Sequence, residues 1–175
     1  MARSGWDRYF YLIMALFYAA AAIIGFAPNS LAILAGSKPN PPFLIHFHAF
    51  IMSSWMALLV AQASLMATGR ANRHMQLGLI SLGLAPLIVI VMSMIAWPYL
   101  KAPLSEPAIT LIQVKRIALF SIFFGLAFLW RKRHSEAHKR LIFLATFVVL
   151  DAAFFRMDWF LPNFDNSNTI TVGHI

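Results

Sequence analysis

Five stretches of apolar residues, separated by short polar connections, run along this chain of 175 residues. A helix rises about 1.5 Å per residue, so about 20 apolar residues cross the hydrocarbon core of a bilayer. The pattern predicts an all-α bundle of five transmembrane helices at residues 9–26, 43–66, 77–97, 108–130 and 141–161. Residues 30–36 (SLAILAG) predict a short interfacial helix, and residues 162–175 form a polar tail.

Composition supports this class of protein. Hydrophobic residues make up 61% of the chain, charged residues only 11%, and the mean hydropathy is +0.73. Soluble domains are nearer 45–50% apolar and about 25% charged. The length predicts one transmembrane domain. Because the chain has no cysteine, disulfides and thiolate metal sites within it are excluded.

We interpret the net charge of +8 as a sign of how the chain is oriented in a membrane, and not as a sign of binding to nucleic acid. Lys38 and Lys101 are the basic residues on one side of the predicted bundle, and the other side carries Arg3, Arg8, Arg70, Arg73, Arg131, Lys132, Arg133, Lys139 and Arg140. The positive-inside rule places this richer side, with the N-terminus, in the cytoplasm and the C-terminus outside. The lipid bilayer is the expected partner, and no nucleic acid is expected.

Charges interrupt the fifth apolar stretch at Asp151, Arg156 and Asp158. An ionisable side chain at membrane depth costs roughly 2.5–3.5 kcal/mol, so it requires a partner, water or a function. Asp151 and Asp158 are seven residues apart, which puts them on one face of a regular helix. Asp151 lies about 15 Å along its helix, near the bilayer centre. We expect Asp151 to serve as a proton acceptor or as the counter-ion of Lys115 or Arg116.

A group of polar residues from three helices shares the outer third of the predicted bundle. Its members are His46, His48, Lys115, Arg116, Arg156 and Asp158. The sequence predicts an outward-opening pocket formed by His48, Lys115, Arg116, Asp151 and Asp158, in which His48, Lys115 and Arg116 bind a quinone headgroup, haem propionates or a lipid phosphate. The alternative is that the cations extend to the outer headgroups and that an aspartate pairs with one of them structurally.

The histidines predict two further candidate sites. His46 and His48 with Asp158 form a candidate site for a transition metal, although the HxH step directs the two rings to opposite faces of a regular helix. The sequence leaves open which ring faces the bundle. His48, Trp55 and Gln62 recur every seven residues as one stripe. The second candidate site lies on the cytoplasmic side of the predicted bundle and consists of His74 and His138.

Each of these inner histidines, His74 and His138, begins a predicted helix. The two could face each other as axial ligands of a b-type haem. The alternative is that both lie at the membrane interface beside lipid phosphates.

The succession HFHAF, GRANRHMQLG and HKRLIFLAT is similar to a pattern in small bacterial inner-membrane proteins of four to six helices. There, H-x-H begins one helix, G-R-x-x-x-H-x-x-L-G connects it to the next, and H-K-R-L begins the last. The matching positions are His46, His48, Gly69, Arg70, His74, Leu77, Gly78, His138, Lys139, Arg140 and Leu141. The resemblance implies a bacterial inner-membrane location and no particular activity.

Three functions follow from these features. The first is a membrane redox or ligand-binding protein whose cofactor is haem b, a transition metal or a quinone. The second is an accessory subunit that packs against partner subunits or a further copy of itself. The third is a proton-coupled transporter. Motifs such as GxSxG, HExxH and a glycine-rich phosphate loop are absent from the sequence.

Overall fold

The computed structural model describes residues 5–101 and 107–157, with side chains from residue 9 onwards. These residues form six helices and no strand, which confirms the all-helical fold. The helices are α1 (Gly5–Leu34), α2 (Phe43–Ala67), α3 (Ala71–Gly78), α4 (Ile80–Lys101), α5 (Pro107–Trp130) and α6 (Ser135–Phe154).

Four segments are long and apolar enough to cross a membrane. They are Tyr9–Leu34, Phe43–Ala67, Ala71–Lys101 and Pro107–Trp130, and the third contains both α3 and α4. Helix α6 has 20 residues but is less apolar, because it carries Glu136, Lys139, Arg140 and Asp151. A fifth span and the orientation of the chain therefore stay predictions.

The long helices form a closed ring in the order α1, α2, α4, α5, α6, with α6 packed back against α1. Tyr11 and Tyr18 of α1 both contact Phe143, and Gly25 lies against the backbone of Ala153. Because residues later in α1 meet residues later in α6, these two helices run parallel. Their contact closes the ring.

Trp55 fills the centre of the ring. Its Nε1 donates a hydrogen bond of 3.1 Å to Oγ1 of Thr146, and its indole contacts the rings of Phe120 and Phe124. The Thr146 hydroxyl in turn donates to the carbonyl of Ile142 at 2.9 Å. A buried indole N–H needs such an acceptor. The middle of the ring is therefore aromatic, with its polar groups paired.

The first helix is longer than predicted. Residues 30–34 continue α1 instead of forming a separate interfacial helix, so the expectation of a break there is wrong. The helix ends where Gly36 adopts a φ of +72°. The Ser37 N–H donates to the Ala32 carbonyl and the Gly36 N–H to the Ile33 carbonyl, both at 3.0 Å. This pair of bonds is a Schellman motif, which requires the left-handed residue that glycine tolerates.

Two other boundaries also differ from the prediction. The third predicted span is preceded by a distinct helix, α3, and Leu79 separates it from α4. Helix α6 ends at Phe154, because the N–H groups of Arg156 and Met157 bond three residues back, to Ala153 and Phe154. This tighter turn ends the α-helical pattern.

The early end of α6 changes the expected relation between Asp151 and Asp158. The two cannot share a face of one helix, because α6 ends four residues before Asp158. Asp158 itself lies outside the described residues.

Candidate functional site

Five polar residues from three helices and one turn lie near the end of the ring where α6 terminates. We call them the Asp151 cluster: His48 of α2, Lys115 and Arg116 of α5, Asp151 of α6, and Arg156 of the turn that follows α6. Four of them, all except Arg156, are residues that the sequence predicts for the ligand-binding pocket.

Asp151 is the centre of the charged contacts. Its Oδ1 accepts a hydrogen bond of 2.7 Å from Nε of Arg116, and its Oδ2 lies 3.4 Å from Nζ of Lys115. The side chains of Asp151 and Arg116 are 20% and 15% exposed, whereas that of Lys115 is 51% exposed. The short, half-buried contact with Arg116 is the stronger one. Asp151 is thus a counter-ion whose two oxygens are both engaged.

His48 is the histidine of the HxH step that faces the ring. Its Nδ1 is buried and has no hydrogen-bond partner. His46 is exposed, and its Nε2 lies 2.8 Å from Oδ1 of Asn40. The two rings therefore point away from a shared ligand. In the described part of the chain, no three or more His, Asp or Glu side chains come together to hold a metal ion.

Arg156 is the member of the cluster that the sequence argument did not assign to the pocket. Its Nη1 donates to the carbonyl of Ala152 at 2.9 Å, and its guanidinium lies 4.8 Å from the centre of the Phe26 ring. Its charge acts on both His48 and Arg116. The sequence signal was its depth, which matches that of the other members of the group.

A second group lies towards the opposite end of the ring. This histidine cluster consists of Gln62, His74 and His138, from α2, α3 and α6. Oε1 of Gln62 and Nδ1 of His74 are buried without hydrogen-bond partners, and His138 lies within electrostatic range of His74. Nδ1 of His138 lies 2.9 Å from the carbonyl oxygen of Ala127. A carbonyl only accepts, so this nitrogen carries the proton and Nε2 of His138 has a free lone pair.

Two glycines bring α3 back against α2. Gly69 has a φ of +75°, and the N–H of the next residue, Arg70, donates to the Leu65 carbonyl at 2.7 Å. This Schellman turn reverses the chain directly after α2. A Cβ on Gly78 would lie 3.3 Å from Nε2 of Gln62, so the glycine leaves room for the amide. Both glycines of the predicted motif thus have a structural role.

Two surface cavities lie among the connections at the end opposite the Asp151 cluster. One of about 520 Å³ is lined by Trp130, His134, Ser135, Glu136 and Ala137. The other, of about 410 Å³, is lined by Gly69, Arg70, Ala71, Asn72 and Arg73. Neither contains a member of the two clusters.

Comparison with known proteins adds no further site. No family model, no curated protein and no solved structure matches this chain. We therefore base the proposed function on the contacts within the two clusters.

Proposed function

We propose that this is a multi-pass membrane protein that binds a lipid-soluble ligand through the oxygen atoms of the ligand's headgroup, at the Asp151 cluster. Quinones, haem with its propionates and phospholipids are ligands of this kind. The observation that carries the proposal is the Nδ1 atom of His48, which is buried and has no hydrogen-bond partner among the described residues. A buried polar atom without a partner costs about 1–3 kcal/mol, and a ligand oxygen would satisfy it.

The other members of the cluster prepare the site. The ion pair between Arg116 and Asp151 holds the guanidinium in place at a contact of 2.7 Å. Lys115, which is half exposed and only 3.4 Å from the carboxylate, is free to reorient towards a ligand. In this proposal Asp151 positions the cations. Its alternative role as a proton acceptor is less well supported, because both carboxylate oxygens already contact cations.

We further propose that α6 crosses the bilayer beside the four apolar segments, with the N-terminus in a bacterial cytoplasm. Its 20 residues correspond to about 30 Å of helix, the thickness of the hydrocarbon core. It packs between α1 and α5 in the ring. In this orientation the Asp151 cluster lies in the outer half of the membrane.

The test is to identify what co-purifies with the protein. Organic extracts of protein purified in mild detergent are analysed by mass spectrometry for the wild type, His48→Ala and His46→Ala. We expect a lipid-soluble molecule to be retained by the wild type and His46→Ala, and to fall by about tenfold in His48→Ala, since a hydrogen bond at a buried site is lost.

The matched control is His46, two residues away on the same helix and exposed. Equal retention by both variants would contradict the proposal. An empty protein that co-purifies with another membrane protein would instead favour the accessory-subunit alternative.

The histidine cluster supports a second candidate, a haem or metal cofactor held by His74 and His138. The free lone pair on Nε2 of His138 and the unpartnered Nδ1 of His74 are the favouring observations. A ligating histidine commonly donates its other nitrogen to a backbone carbonyl, as His138 does to Ala127. Exposed basic residues at this end, including Arg70, Arg73 and Arg140, suit haem propionates.

A visible absorption spectrum with metal analysis tests this second candidate. We expect a Soret band, or bound metal without one, that is lost in His74→Ala and in His138→Ala. His134→Ala is the control, because His134 is exposed and makes an edge-to-face contact with Trp130 at the same end of the protein. A colourless, metal-free wild-type protein would exclude the cofactor at this cluster.

A further inference from the structure

The charges of the Asp151 cluster do not balance among the described residues. Three side chains of the cluster, Lys115, Arg116 and Arg156, are basic, whereas Asp151 is the one carboxylate among the described residues that pairs with any of them, and it contacts Lys115 and Arg116. Arg116 takes the close contact with that carboxylate, so it is largely neutralised. Two positive charges are left at one end of the ring, in a region where each uncompensated charge is costly.

Arg156 and Arg116 are held near each other although both are positive. Arg116 contacts Asp151 and Arg156 contacts the carbonyl of Ala152, the residue after Asp151, and Arg156 has no carboxylate partner in the described part of the chain. Its guanidinium is held by the Ala152 carbonyl and by the face of the Phe26 ring. A single carbonyl and an aromatic face leave most of its five N–H donors available.

His48 completes the arrangement on the α2 side. Its Nδ1 atom is buried and has no hydrogen-bond partner among the described residues. An imidazole N–H and guanidinium N–H groups from separate elements form a set of donors without an acceptor. An anion between them would accept these hydrogen bonds and reduce the repulsion between the arginines.

We propose that the ligand headgroup is anionic, a carboxylate or phosphate, and that Arg156 and His48 contact it directly. This inference rests on the proposed function and names the chemical class of its ligand. The group could belong to an amphipathic lipid or to a free anion, since both offer the same oxygens. Exposed apolar side chains around the cluster, among them Phe26 and Phe155, suit an apolar tail.

The experiment compares two amphiphiles with the same tail, hexadecyl phosphate and hexadecanol, for binding to the full-length protein in uncharged detergent. We expect wild-type protein to bind the phosphate at least about tenfold more tightly than the alcohol. Arg156→Gln should abolish this preference, and Arg156→Lys should keep part of it. The control is Lys101→Gln, which removes an exposed cation that lies over the ring of Trp97 instead of joining the cluster.

The outcomes separate this inference from the proposed function. If both amphiphiles bind equally, with His48→Ala weakening both and Arg156→Gln weakening neither, the ligand site stands and the anionic headgroup is refuted. If Arg156→Gln and Lys101→Gln reduce the preference equally, the effect is one of overall charge, and Arg156 is not a contact. Competition by inorganic phosphate as strong as that by hexadecyl phosphate would support a free anion as the source.

Discussion

At the scale of single residues, the most informative features are three buried side-chain atoms that have no hydrogen-bond partner among the described residues. They belong to His48, Gln62 and His74. His48 and Gln62 lie on the α2 stripe, seven residues above and below Trp55, and His74 packs close to Gln62. The charged Asp151, by contrast, is fully engaged by its cationic neighbours. Within the described residues the carboxylate of Asp151 is therefore paired, whereas polar atoms of α2 and α3 are left without partners.

Gly25 is a residue at which the absence of a side chain matters. A Cβ at this position would lie 2.5 Å from the carbonyl oxygen of Ala153, inside the parallel contact of α1 with α6. Gly25→Ala should separate the two helices and lower the unfolding free energy by about 1–3 kcal/mol, the usual cost of overpacking. Thermal unfolding in detergent measures this change.

Gly125 provides the matched control within a helix. A Cβ there meets no atom within 4 Å. Gly125→Ala should leave stability unchanged or raise it by about 0.5–1 kcal/mol, because alanine favours the helix. If the two substitutions had the same effect, the close approach of α1 to α6 would be contradicted.

At the scale of elements, α6 is the long helix that differs most from a simple apolar membrane span. Its first turns carry Glu136, Lys139 and Arg140, and Asp151 lies in its last turn. Lys139 bonds Glu136 at 2.8 Å and lies over Tyr11, so its charge is accommodated at the end of the ring. The tight turn after Phe154 then brings Arg156 above α1. An element that is apolar only in its middle thus supplies charged groups at both ends.

At the scale of the whole molecule, the ring of helices has a cluster of polar residues near each end and aromatic side chains at its centre. Trp55 lies two helical turns, about 10 Å, from both His48 and Gln62. The indole, Phe120 and Thr146 fill the interior at that level, and they are 3%, 0% and 0% exposed. Because this layer is buried and its indole N–H is paired, it separates the two clusters. The arrangement favours separate binding sites over a continuous path for protons.

The orientation of the whole molecule can be tested with single cysteines, since the chain has none. Lys38→Cys, in the connection between α1 and α2, should react with a membrane-impermeant maleimide in intact cells. Arg133→Cys, in the connection between α5 and α6, should react only after permeabilisation. Both positions are exposed, so accessibility within the protein is matched. The reverse pattern would invert the proposed topology, and labelling of both in intact cells would contradict the odd number of crossings, three, that the proposed topology has between them.

The sequence alone was enough to predict the helical class and the positions of the apolar segments. It also identified the polar residues within those segments whose presence needed an explanation. Hydrophobic length and charge placement are local properties, so spans such as α2 and α5 were predicted within one or two residues. The ends of α1 and α6 were missed, because they depend on backbone bonds in turns at Gly36 and after Phe154.

Which polar side chains contact each other depends on the tertiary structure and could not be predicted from the sequence. The helical repeat places His46 and His48 on different faces but cannot say which face turns inwards. Their roles became distinct when the ring placed His48 beside Arg156 and left His46 with Asn40. Likewise, pairing of Asp151 with Arg116 rather than mainly with Lys115 depends on the rotation and register of α5 against α6. Those are set by the packing of whole helices, which no single segment encodes.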